Sequence, residues 1–182
     1  MTTTSKQLTI FEGPDGAGKT TLAKAYAQQS GSTYTHMGPY KGASADKFLQ
    51  ACEEVSCFGQ KMVLDRWAPS EVIYGHTFRP DDPNRVSLED QAMLENLTRE
   101  HGVRTVLVLC LPNHQTCLDN FRRRAADGKE MLETEKQFNE VYNGYKYLAL
   151  FERLTSFSVI HYDYEVHQVK DIFKLIEVAR GY

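Results

Sequence analysis

The stretch FEGPDGAGKTTLAKAYA (residues 11–27) constrains this chain more than any other. Within it, Gly13-Pro14-Asp15-Gly16-Ala17-Gly18-Lys19-Thr20 satisfies GxxxxGK[ST] at every defined position. The glycines let backbone N–H groups turn inward around phosphate oxygens, and the helix that follows adds the positive end of its dipole. Lys19 is spaced to reach the outer phosphates, and the Thr20 hydroxyl to ligate Mg²⁺. Such a loop joins a buried strand to a helix, so a nucleoside triphosphate is expected at the edge of an α/β sheet. Its binding set comprises Gly13, Asp15, Gly16, Ala17, Gly18, Lys19, Thr20 and Thr21.

The rest of the chain repeats the alternation of short apolar runs and helical spacing. LTIFE (8–12), STYTHMG (32–38), KMVLD (61–65), VRTVLVLCL (103–111) and FSVIH (157–161) predict five strands. Helices are expected over 18–30, 44–58, 114–124, about 133–154 and 166–176. Ser87 with Asp90 forms a capping-box pattern opening another helix, which Gly102 closes. Between Asp65 and Ser87 the sequence predicts a polar, proline-bearing loop running through Pro80 and Pro83. Alternating strands and helices argue for a three-layer α/β sandwich around a five-stranded parallel sheet, with ligands beyond the carboxyl ends of the strands. All 182 residues fit one domain, with a charged lid at about 121–135.

Composition narrows the function. Hydrophobic residues at 41% and charged ones at 25% suit a soluble globular chain, and a net charge of −3 argues against a long DNA or RNA footprint. No apolar run approaches the ~20 residues of a membrane span, and MTTTSKQ is too polar and short for a signal peptide. Cys52, Cys57, Cys110 and Cys117 lack metal-type or CxxC spacing, so reduced thiols and a cytoplasmic location are expected. Neither HExxH nor GxSxG occurs, which removes support for zinc and serine hydrolases.

LDRWAPSEVIYG (64–75) begins where the KMVLD strand ends, on the loop's side of a parallel sheet. Asp65 there can orient Mg²⁺ through water or accept a proton, and Arg66 can grip an acceptor phosphate with two N–H groups. An ordinary strand-terminal ion pair is the competing reading. Three segments in order resemble the thymidylate kinase family of P-loop nucleoside monophosphate kinases, particularly its short phage-type members. They are FEGPDGAGKTTLAKAYA, DRWAPSEVIY (similar to D-R-[aromatic]-x-x-S-x-x-x-Y) and FNEVYNGYKYLA (138–149). The resemblance implies transfer of the ATP γ-phosphoryl group, with Mg²⁺, to a (deoxy)nucleoside monophosphate. It places Asp15 near the acceptor sugar or metal shell, Asp65 at Mg²⁺ with Thr20, and Arg66, Ser70 and Tyr74 in the acceptor site. Arg79 is similarly placed to a second phosphate contact of those proteins, and His36 is expected either to border the acceptor pocket or to be structural.

FRRRAADGKE (121–130) carries three successive arginines before a turn-forming Asp-Gly. Phosphoryl transfer needs positive charge delivered in a water-excluding site. In the resembled family, members with glycine inside the phosphate loop supply that arginine from the lid; position 16 is glycine here. Arg122 and Arg124 are the candidates, against a solvated helix end. The chain departs from the family in having no arginine before Arg66, which leaves the base preference open. The rival readings are a deoxynucleoside kinase, a kinase of a hydroxyl on modified DNA, and a non-catalytic P-loop switch. No NKxD guanine-reading motif is present. Expected partners are small nucleotides and no membrane; a homodimer is left open.

Overall fold

Every residue of β1 (Gln7–Glu12) is buried, as expected of a strand paired on both edges and covered on both faces. Its neighbours are β3 (Lys61–Asp65) and β4 (Arg104–Cys110), with β2 (Thr33–His36) outside β3 and β5 (Ser158–Tyr162) outside β4. All pairs are parallel, giving the order β2-β3-β1-β4-β5. This computed structural model describes residues 6–38, 45–82, 85–127, 134–150 and 155–181.

Seven helices occur among the described residues: α1 (Lys19–Ser30), α2 (Asp46–Phe58), α3 (Ala68–Phe78), α4 (Leu88–Glu100), α5 (His114–Ala126), α6 (Glu135–Leu150) and α7 (Val169–Ala179). The chain moves from β1 outward to β2, then back through β3 toward β4 and β5. Right-handed crossovers in opposite directions put helices on opposite faces. Accordingly α1 and α7 share one face, where the Tyr26 and Phe173 rings lie 5.0 Å apart. The Ser87–Asp90 capping box forms as expected. The four cysteines are free, and no described helix is long and apolar enough to cross a membrane.

One expectation is overturned: much of the segment after β3 is not a loop but α3. Pro69 sits at its first turn, where the missing N–H and fixed φ suit a helix start. The helix lacks an amphipathic stripe because Ala68, Pro69, Ser70, Glu71, Tyr74 and Gly75 are all buried, polar members included. Pro80 does follow the helix, whereas Pro83 lies outside the described residues. The expected ends of α6 at 133 and 154 also lie outside them, as do lid residues 128–133.

At the amino end of the sheet, buried Arg180 donates to Gln7 Oε1 at 3.1 Å, to the Tyr26 hydroxyl at 2.6 Å and to Thr9 Oγ1. It fastens the end of α7 to β1, far along the strand from the phosphate loop. The carboxyl ends of β1 and β3 are left to build a site.

Candidate active site

The β1–β3 register sets Phe11 opposite Asp65, and the Arg66 N–H donates to the Phe11 carbonyl at 2.9 Å. The ends of the two strands are thus adjacent, and the Gly13–Gly18 loop leaves β1 beside them. Gly13 has φ 145°, and a Cβ there would overlap the Cys110 carbonyl oxygen on β4. Glycine is therefore needed both for the backbone turn and for the close approach. Lys19 opens α1, is 5% exposed, and donates from Nζ to the Pro14 carbonyl at 2.6 Å. Burial, reinforced by the Arg66 charge, brings its ammonium down to about 8.

Asp65 is fully buried at the end of β3. Its Oδ2 accepts from Thr20 Oγ1 at 2.6 Å, the Tyr34 hydroxyl at 3.0 Å and His36 Nδ1 at 3.0 Å. Its Oδ1 is buried with no hydrogen-bond partner. Burial works against ionisation, but the Thr20 hydrogen bond and the charge of Lys19 outweigh it and hold this carboxyl below its ordinary range. An anionic oxygen without a donor, beside a hydroxyl at the start of α1, suits a hard cation with water in its shell. Thr20 and Asp65 fit Mg²⁺ in this sense. Among the described residues no cluster of three or more His, Cys, Asp or Glu could hold a metal by itself.

Arg66 adopts φ 83°, the positive-φ backbone that non-glycine residues rarely take. The turn is held from below by the Trp67 N–H donating to Glu12 Oε1 at 2.5 Å. The guanidinium donates from Nη2 to Asp15 Oδ1 at 2.5 Å and to the Tyr74 hydroxyl at 3.3 Å, and from Nη1 to Ser70 Oγ at 3.3 Å. Tyr74 in turn donates to Asp15 Oδ2 at 2.8 Å. Ser70 and Tyr74 follow Arg66 at helical spacing, so α3 delivers both to one place. Although burial opposes it, the Arg66 and Lys19 charges keep the Asp15 carboxyl below its usual value. The structure thus brings Asp15, Arg66, Ser70 and Tyr74 together.

The remaining candidates make other contacts. His36 sets Nδ1 3.0 Å from Asp65 Oδ2. Arg79 donates to Glu71 Oε2 at 2.6 Å, while Lys47 holds Oε1 at 3.3 Å. Arg122 turns toward α6, pairing with Glu135 through Nε at 2.7 Å and Nη2 at 3.0 Å. Arg124 lies one helical turn beyond Asn120, which donates to the Gly16 carbonyl at 3.0 Å, and its charge is felt at Asp15. Thr21 is exposed on α1. Phe48 is buried against Trp67, and Phe58 is 73% exposed.

Three contributors carried no motif. Glu12 is completely buried and accepts from Ser70 Oγ at 2.6 Å and the Tyr145 hydroxyl at 2.9 Å. Burial pushes its carboxyl above the ordinary range, against the pull of Ser70 and Arg66. Asn120 bridges the phosphate loop to the Tyr164 hydroxyl at 2.7 Å, and Tyr34 joins Asp65. Glu12 was legible as the last strand residue before the loop; Asn120 and Tyr34 depend on tertiary contact alone.

No protein-family model and no curated protein sequence matches the chain. Solved structures do share its fold. The YorR protein from Bacillus subtilis, in complex with phosphorylated GDP, is similar with a TM-score of 0.68 at 14% identity, over 96% of this chain and 98% of that one. Deoxyadenosine kinase from M. mycoides, with products dCMP and dCDP, is similar with a TM-score of 0.56 at 15% identity over 94% and 97%. Shikimate kinase from Acinetobacter baumannii, in complex with shikimate, follows the fold with a TM-score of 0.53 at 15% identity over 96% and 92%. The five-stranded parallel sheet with helices on both faces is the fold that this chain shares with these structures, two of them kinases.

Proposed function

We propose that this chain is a phosphotransferase that uses ATP with Mg²⁺ and passes the γ-phosphoryl group to a (deoxy)nucleoside monophosphate, in the manner of thymidylate kinases. The observation that carries the acceptor is a pair of buried cations. Lys19 and Arg66 lie in each other's field, and the anions that answer them are Asp15 and Asp65. Both cations are held by carboxylates at the carboxyl edge of the sheet, a setting in which those partners can yield to anionic ligands. Donor phosphates on Lys19 and an acceptor phosphate on Arg66 would supply them from two sides.

Within this reading the protein does little covalent chemistry. The loop and Lys19 hold the donor phosphates, and Arg66 with Ser70 and Tyr74 holds the acceptor in line. Thr20 and Asp65 would hold Mg²⁺, which when bound supplies positive charge to the transferring phosphates. Arg124 is the better placed lid arginine, since its charge is felt at Asp15. The nucleotide-bound YorR structure and the nucleotide products of the M. mycoides enzyme are consistent with a nucleotide acceptor. A cytoplasmic role in nucleotide biosynthesis, of the short phage type, accompanies the proposal.

A second reading has some support: a nucleoside 5′-hydroxyl as acceptor, with Asp15 as base, by analogy with the deoxyadenosine kinase fold. Against it, Asp15 already accepts from Arg66 and Tyr74 and is a weak base. Arg66→Ala separates the two. A monophosphate acceptor predicts a loss of about 100-fold or more in kcat/KM for the acceptor with ATP affinity kept. Equal turnover of the variant on a nucleoside would overturn the proposal.

A further inference from the structure

Asp65 is divided between its two oxygens. Oδ2 takes three donors from three directions: Thr20 from α1, and Tyr34 and His36 from β2. Oδ1 takes none, though it is equally buried. The division follows from strand geometry. The parallel register sets His36 opposite Asp65 and Tyr34 opposite Val63. Side chains two residues apart on a strand share a face, so Tyr34 and His36 both lean over the Asp65 side. The Tyr34 ring is backed by Lys24 of α1, whose Nζ lies 5.5 Å from the ring centroid.

We propose that Tyr34 and His36 are positioning residues that anchor Oδ2 of Asp65, so that Oδ1 is the oxygen presented to a water of the Mg²⁺–nucleotide. A carboxylate held by one donor could rotate and share its charge between both oxygens. Three donors on one oxygen fix both the plane and the identity of the free lone pairs. Thr20 is itself a candidate cation ligand, which leaves the two β2 residues as the dedicated orienting pair. Partners that orient a metal-binding group typically change metal affinity by about 10–100-fold when removed.

The inference rests on the Mg²⁺–nucleotide reading of the site, and its test distinguishes the two. The probes are Mn²⁺ and a non-hydrolysable ATP analogue. Binding of the analogue is measured by calorimetry in EDTA and in Mn²⁺, and bound Mn²⁺ is followed by its electron spin resonance. Wild type, Tyr34→Phe/His36→Ala, Tyr34→Phe/His36→Asn and Asp65→Asn are compared. The expected result is an affinity gain from Mn²⁺ in wild type that falls about tenfold or more in Tyr34→Phe/His36→Ala, while binding in EDTA is unchanged. The His36→Asn version, which retains a donor, should recover part of the gain. If both affinities fall together, or the Mn²⁺ gain survives in full, the positioning role is overturned while the metal reading stands. If wild type shows no Mn²⁺ gain, the metal reading fails and the inference with it.

Discussion

Lys19 should take up a proton when phosphates bind, and the amount should depend steeply on pH. In the free protein, burial and the Arg66 charge bring its ammonium to about 8, from an ordinary value of 10.5. The difference corresponds to at most about 3 kcal/mol held against the charged form. Polyphosphate beside Nζ reverses the electrostatic part and restores a value near the ordinary one. If restoration is complete, binding takes up about 0.1 proton at pH 7, about 0.5 at pH 8 and about 0.9 at pH 9. The sign for the free protein follows from the same depression. The unfolded chain binds this proton more tightly, so the stability penalty is fully present below about 8 and vanishes as pH rises past the ordinary value of 10.5. The assay is calorimetric titration with ADP in buffers of differing protonation heat, at several pH values, with Lys19→Met as reference. Uptake that stays flat from pH 7 to 9, or that is equal in Lys19→Met, would refute the reasoning.

Other consequences are as direct. Gly13→Ala places a methyl on the Cys110 carbonyl at φ 145°; a loss of about 3 kcal/mol or more is expected, read as a fall in Tm of roughly 6–12 °C. Glu12→Gln removes acceptor capacity facing four donors and should cost about 1–3 kcal/mol in urea unfolding. Arg180→Met should cost a similar amount by removing a buried donor from Gln7, Thr9 and Tyr26, yet leave nucleotide affinity unchanged, since the network lies at the other end of β1. Asp15 and Asp65 both have depressed carboxyl values, so their stabilisation should be complete above the ordinary value of 3.8 and lost as pH falls below it; Asp65→Asn should flatten part of that acid limb.

The strands were readable because doubly covered parallel strands must be apolar throughout, as VLVLC in β4 is. The loop was readable because its backbone geometry admits so few residues. α3 was hidden for the opposite reason: it is buried on several sides, so its polar residues face Glu12 and Asp15 rather than water, and no apolar stripe marks it. That Asp15 and Arg66 would serve one site was implied by the family resemblance, but the buried ion pair between them was not legible. His36 was left open between an acceptor pocket and a structural role because the β2–β3 register, invisible in sequence, sets it against Asp65. Arg122 and Arg124 are separable only once Glu135 is seen to capture the former.

The account's central claim is that Arg66 receives an acceptor phosphate while Lys19 holds those of ATP. The most direct measurement is ADP release with Mg²⁺ and ATP over a panel of nucleoside monophosphates, deoxynucleosides and single-stranded DNA, with products identified by mass. Turnover confined to one or a few monophosphates, yielding diphosphates and lost in Arg66→Ala, is the predicted result. Turnover on nucleosides or DNA alone, or ATP binding without transfer to any acceptor, would contradict it.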